Sequence, residues 1–171
     1  MLVSQALNDK INEQVGNEFA ASIQYTAIAA HFDAESLPFL ANHFYKQASE
    51  EHAHAMKFIK FLIDAGARVE IPAIGKPVPK FPFAEDAVKL SLEQEIKVTN
   101  QINALMDLSL KENNHIAATF LQWFITEQLE EVSSMDQLLK IVQRAGEGSL
   151  LLVEQYLAGY KSSGAGSAAA E

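Results

Sequence analysis

Apolar residues recur at steps of three and four along four separate stretches of the chain. That period belongs to helices and excludes strands, whose faces alternate at every second residue. The first stretch, from about Gln5 to Phe32, carries Leu7, Ile11, Val15, Glu18, Ser22, Tyr25, Ala29 and Phe32 on one face. The second, from about Leu37 to Ala65, carries Leu40, Phe44, Gln47, Glu51, His54, Phe58, Phe61 and Ala65, with Ser36 as its expected N-cap, Pro38 in its first turn and Gly66 as its stop. A third, about Ala84 to Lys111, shows Val88, Leu92, Glu95, Val98, Ile102, Leu105 and Leu108. A fourth, after the polar turn KENNH, shows Phe120, Phe124, Glu127, Glu131, Met135, Leu138 and Val142.

Helices of about 28 residues are about 40 Å long at 1.5 Å per residue. What separates them decides the topology. The first and third separators are short, which makes helices one and two antiparallel, and three and four likewise. Residues 66–83 contain four of the five prolines and continue neither flanking helix, yet they keep Val69, Ile71, Ile74 and Val78 to bury. A segment of this length can travel the whole bundle, so the expected fold is an all-α four-helix bundle with one long crossover. A short fifth helix follows over about Leu150 to Tyr160. The expected domain spans 1–161, and the Gly/Ser/Ala-rich end, 162–171, reads as a flexible tail.

The chain of 171 residues is long enough to bury a core without staples, and it has no cysteine, which excludes iron–sulfur, zinc-ribbon, thiol-nucleophile and disulfide chemistry. Its formal charge of −9 argues against a phosphate-backbone binder, so no nucleic-acid partner is expected. No stretch reaches the length of a membrane span and the N-terminus lacks a leader pattern, so the expectation is a soluble protein of the cytoplasm with no membrane partner.

Glu18, Glu51, His54, Glu95, Glu127 and Glu131 occupy positions where the helical stripes call for Leu or Phe, and every long helix contributes at least one. Burying an ion costs several kcal/mol even after relaxation, against a total domain stability of about 5 to 15 kcal/mol. A cation must therefore sit among them. The neighbouring inward positions hold Phe, Leu, Tyr, Gln or His rather than Lys or Arg, which points to a metal. Glu51 and His54, at i and i+3, share one helix face, and an oxygen-rich set with one imidazole suits divalent iron or manganese. Glu51 is the candidate bridge between two ions.

Glu18 with Tyr25, EEHAH at 50–54, Glu95 in LEQEIKVTNQIN and FLQWFITEQLEE at 120–131 together resemble a prokaryotic non-haem ferritin over about residues 4 to 160. The resemblance implies that Glu18, Glu51 and His54 hold one iron and Glu51, Glu95 and Glu131 a second, with Glu50, Glu127 and Glu130 forming a third site nearby. It makes Tyr25 a redox-active tyrosine and Gln128 a supporting glutamine behind the ligands. It implies a homo-oligomeric 24-mer cage that oxidises Fe(II) with O2 or H2O2 at a di-iron centre and stores ferric mineral. Haem is not expected: His52 stands where a bacterioferritin has its haem methionine, and the fourth helix reads Glu127-Gln128-Leu129-Glu130 rather than repeating Glu-x-x-His. At the positions that carry channel acids in animal ferritins, this chain has Ala118 and Leu121.

Other uses of such a bundle remain open at this stage: a storage-only shell subunit, a rubrerythrin- or manganese-catalase-like enzyme consuming peroxide, and a DNA-protecting mini-ferritin. The first predicts missing ligands, the second usually brings a cysteine-bearing module, and the third places its site between subunits. His31, His43, His52 and His115 are read as surface or packing residues, and Trp123 as packing.

Overall fold

The computed structural model describes residues 1–164. Four long helices, α1 (Gln5–Ala34), α2 (Pro38–Asp64), α3 (Ala84–Lys111) and α4 (His115–Ala145), precede a 3-10 turn at Glu147–Ser149 and a shorter α5 (Leu150–Gly164). Helix α5 thus runs past the expected domain end, and residues 165–171 of the expected tail lie outside the described residues.

Backbone and side-chain contacts give the directions. Leu2 pairs with Ala65, Phe19 packs on His52, and Tyr25 and Phe32 pack on Phe44, so α1 and α2 are antiparallel. Gln143 reaches Glu85 while Gln128 reaches Glu95, so α3 and α4 are antiparallel as well. Helices α2 and α4 meet through long side chains, with Phe58 stacked on Phe124 and Phe61 on Phe120, each at 4.2 Å between ring centres. With these directions α2 ends at the opposite end of the bundle from the start of α3. Residues 66–83 make the journey between them.

The crossover is held differently from the sequence expectation. Ile71 is 53% exposed and Val78 44%, while Val69 and Ile74 are only partly covered. Amides of α1 pin it instead. Asn12 Nδ2 donates to Arg68 O (2.9 Å) and its Oδ1 accepts from Glu70 N (2.7 Å); Gln24 Nε2 donates to Val78 O (3.0 Å) and its Oε1 accepts from Val78 N (2.8 Å). Each amide satisfies backbone groups that would otherwise be left unpaired against the helix. Between these two points a Cβ on Gly16 would collide with the Pro72 ring, so glycine lets the loop approach.

Helix caps follow local chemistry at α1 and α4, where Ser4 Oγ accepts from Leu7 N and Asn114 Oδ1 from Ala117 N, both at 3.0 Å. At α2 the expected cap is corrected. Ser36 lies in the left-handed region (φ 61°), Leu37 is the capping position, and Pro38 begins the helix. The orphan amides of Phe39 and Leu40 donate to the two oxygens of Glu154 on α5, at 2.9 and 2.8 Å. Glu147 does the same for α3 by accepting from Ala84 N. The C-terminal segment is thereby docked by carboxylates set on helix N-termini, where the helix dipole favours negative charge.

The apolar interior forms two clusters. One runs through Tyr25, Phe32, Phe44, Val88 and Met135, the other through Leu7, Ile11, Phe58, Ile102 and Phe124. A polar layer lies between them. No described helix is long and apolar enough to cross a membrane.

Candidate metal centre

Helical register sets that layer. Glu18 of α1, Glu51 and His54 of α2, and Glu95 of α3 are at most 4% exposed, and Glu131 of α4 is 7% exposed. One ligand atom from each of Glu18, Glu51 and His54 lies within 4.8 Å of the others, and the same holds for His54, Glu127 and Glu131. His54 joins the groups: its Nδ1 is 3.4 Å from Glu51 Oε2 and its Nε2 is 3.8 Å from Glu127 Oε1. Its ring is held edge-on by Trp123 and Phe124, with centres 5.4 and 5.8 Å away.

The electrostatics are those of acids brought together out of water. Burial first, and then the charge of Glu51, pushes the Glu18 carboxyl well above the ordinary carboxylate range. Burial followed by Glu95 does the same to Glu51, burial raises Glu95, and burial with Glu95 and Glu50 pushes Glu131 up to about 8. Glu18 Oε2 and Glu51 Oε1 are buried without a hydrogen-bond donor among the described residues. Only a proton retained by one of the carboxyls, or a cation, relieves that arrangement.

Glu95 stands apart from both groups. It accepts from the Tyr25 hydroxyl, and its Oε2 accepts from Gln128 Nε2 at 3.2 Å. Gln128 also donates to Glu95 O and Thr99 Oγ1, each at 3.3 Å. Burial and then Glu95 push the Tyr25 phenol well above its usual value, so it stays protonated and donates. Of the remaining acids, Glu50 is partly exposed and takes Lys46 Nζ at 3.2 Å, Glu127 is partly buried, and Glu130 is exposed. The structure therefore brings Glu127 to His54 and Glu131 but leaves Glu50 and Glu130 at the rim. His52 is exposed against Phe19, Ala118 is partly covered, and Leu121 is buried in the apolar cluster.

Two glutamines went unassigned in the sequence. Gln14 Nε2 donates to Glu18 Oε1 at 2.7 Å and itself accepts from Asn17 at 3.3 Å. Gln47 Nε2 donates to Glu131 Oε2 at 2.9 Å and to Glu50 Oε2 at 3.2 Å. Both sit one helical turn before an inward acid, at i−4 from Glu18 and Glu51, and that spacing is the signal that could have found them.

Comparison with known proteins agrees with this geometry. The ferritin-like domain family matches residues 8–145. A ferritin BfrB of Mycolicibacterium smegmatis is 44% identical over 162 residues, 92% of this chain and 89% of its own length. A bacterial non-heme ferritin of Staphylococcus aureus is 34% identical over 91% of this chain and 95% of its own. An open-pore ferritin of the archaeon Archaeoglobus fulgidus superposes with a TM-score of 0.88 at 28% identity, covering 91% of this chain and 96% of that one. With an acid-and-histidine layer between the two apolar clusters of a helical bundle, a family match over residues 8–145 and a relative 44% identical over 89% of its length, the chain belongs to the ferritin family of iron-storage proteins.

Proposed function

We propose that this protein is a ferroxidase as well as a store: it takes up Fe(II), oxidises it within each subunit's bundle and retains ferric mineral inside a homo-oligomeric cage, a 24-mer by family resemblance, in the cytoplasm. The observation that carries this reading is the Glu18–Glu51–His54 group, with ligand atoms within 4.8 Å of one another and one buried oxygen on each carboxylate that no donor among the described residues satisfies. A storage-only subunit has no need of it.

In this reading Glu18, Glu51 and His54 receive one Fe(II), and Glu51, Glu95 and Glu131 a second, with Glu51 between them. Glu50, Glu127 and Glu130 form a third site nearby. Carboxylates stabilise the ferric product more than the ferrous reactant, which favours electron loss. Two Fe(II) surrender one electron each, and with two protons O2 becomes H2O2; with H2O2 as oxidant, the same two electrons and two protons give two waters. Gln128 holds the Glu95 carboxylate, Gln14 that of Glu18 and Gln47 that of Glu131, so these three ligands are oriented before iron arrives. Where a third Fe(II) is present, it and Tyr25 bring the supply to four electrons, which with four protons take O2 to two waters, and the phenol's proton has an acceptor already hydrogen-bonded in Glu95.

The test is stopped-flow oxidation of Fe(II) in air by metal-free protein, together with mass by size exclusion and iron per chain after loading. Oxidation that is fast, proportional to protein and lost in Glu51→Gln is expected from a cage-sized particle that retains iron. A rate no better than buffer would leave a storage shell alone. A small oligomer that consumes peroxide without retaining iron would put a peroxidase in its place.

A further inference from the structure

A cavity of about 470 Å³ opens where α2, α4 and α5 meet, and Gln47, which bonds Glu131 of the polar layer, is part of its wall. Its volume falls in the range of small-molecule sites, about 300 to 1,000 Å³. Phe39 from α2 and Leu138 and Ile141 from α4 supply apolar walls, and Leu157 closes the side formed by α5. The polar part of the lining is uneven. In a chain with 22 acids against 13 bases, no Asp or Glu among the described residues lines this cavity, while Lys46 and His43 both do.

These groups can recognise an anion. Lys46 extends into solvent, with 74% of its side chain exposed, and its contact with Glu50 is a surface pair that a ligand can exchange at little cost. His43 is mostly buried, edge-on to Phe44 at 5.2 Å, and its Nε2 is buried with no hydrogen-bond partner among the described residues. Burial pushes its pKa down to about 4, so at neutral pH the ring is an uncharged hydrogen-bonding group. Asn42, Ser134 and Gln137 add amide and hydroxyl groups around the apolar walls. These three are exposed at the mouth, where Gln137 already donates to the Tyr156 hydroxyl at 3.1 Å, and a ring system with peripheral heteroatoms can bond such groups where a bare acyl chain cannot.

We propose that this cavity is a binding site for a planar aromatic carboxylate of about two fused rings, its ring system against Phe39, Leu138 and Ile141 and its acid group toward Lys46 and His43. Gln47 lines the cavity and donates to Glu131, so the occupant lies one side chain away from the metal centre. Any effect on iron through that contact rests on the proposed function, whereas the binding itself does not.

The probe is 6-hydroxy-2-naphthoate, titrated calorimetrically into the assembled full-length protein, both metal-free and iron-loaded. Saturable binding near one per chain, weakened about fivefold or more by Lys46→Glu and weakened by added salt, is expected. Ile141→Trp fills the cavity and should abolish binding. Lys46→Glu lies on an exposed side chain and so reads the charge requirement even if the tryptophan variant fails to fold. Absence of saturable binding, binding indifferent to Lys46→Glu, or octanoate binding as tightly as the naphthoate would each overturn the proposal. Binding to metal-free protein that lacks ferroxidase activity would leave it standing and reject only the function proposed above.

Discussion

Metal binding at the acidic layer must expel protons, and the number can be worked from the structure. Burial, with Glu95 and Glu50 nearby, sets the Glu131 carboxyl to titrate at about 8. At pH 7 that leaves about ten protonated carboxyls for each ionised one. A metal ligand must be ionised, so Zn²⁺, a redox-silent stand-in for Fe²⁺, should displace nearly one proton per chain from Glu131 alone. Glu18 and Glu51, also pushed upward by burial, add to the count. The sign follows: below about pH 8 the proton competes with the metal, so affinity rises about tenfold per pH unit for each proton released. The perturbation is Glu131→Gln, which keeps the side chain's shape and removes its titration. Calorimetric Zn²⁺ titrations in two buffers of different ionisation enthalpy yield the proton count. The variant should release about one proton fewer than the parent at pH 7, and the two should converge by about pH 9, where Glu131 is already ionised. Equal counts at pH 7, or a gap that persists at pH 9, would refute the assignment of a buried, protonated Glu131 to the metal shell.

Other outcomes follow from the same coordinates. Because the raised carboxyls hold protons in the folded state that the unfolded chain has released, metal-free protein should lose stability as pH rises from about 5 to 8, by up to about 1.4 kcal/mol per pH unit for each such group, and Zn²⁺ should flatten the slope of guanidinium midpoints. Glu154→Ala removes the acceptor of two α2 amides and should cost about 2 kcal/mol, with faster hydrogen exchange at Phe39 and Leu40 as the site-specific readout. Gly16→Ala should destabilise despite alanine's helical advantage of about 1 kcal/mol, because its Cβ meets Pro72; Gly75→Ala, with nothing near its Cβ, should be neutral in the same melting assay.

Much of the fold could be read from periodicity because burial on one helical face leaves a regular apolar record. The record fails where a helix is covered by backbone rather than by side chains. Asn12, Gly16 and Gln24 of α1 look like solvent-facing residues, yet they meet the crossover, whose peptide groups require amide partners and close approach. The same gap hid the start of α2. Ser36 has the composition of a cap, but the capping oxygens come from Glu154, more than a hundred residues away, and no local pattern carries that contact.

The acidic layer divides the same way. Helical spacing alone placed Glu18, Glu51, His54, Glu95, Glu127 and Glu131 on inward faces, since the face of a helix depends only on position along the chain; all are buried except Glu127, which is partly exposed. Which atoms then meet depends on distances of a few ångströms between helices remote in sequence. Tertiary packing decided that Glu95 turns to Tyr25 and Gln128, that Glu127 approaches His54 while Glu130 stays outside, and that Gln47 holds Glu131. Periodicity specifies where a side chain begins; only the packed neighbours select where its oxygen ends.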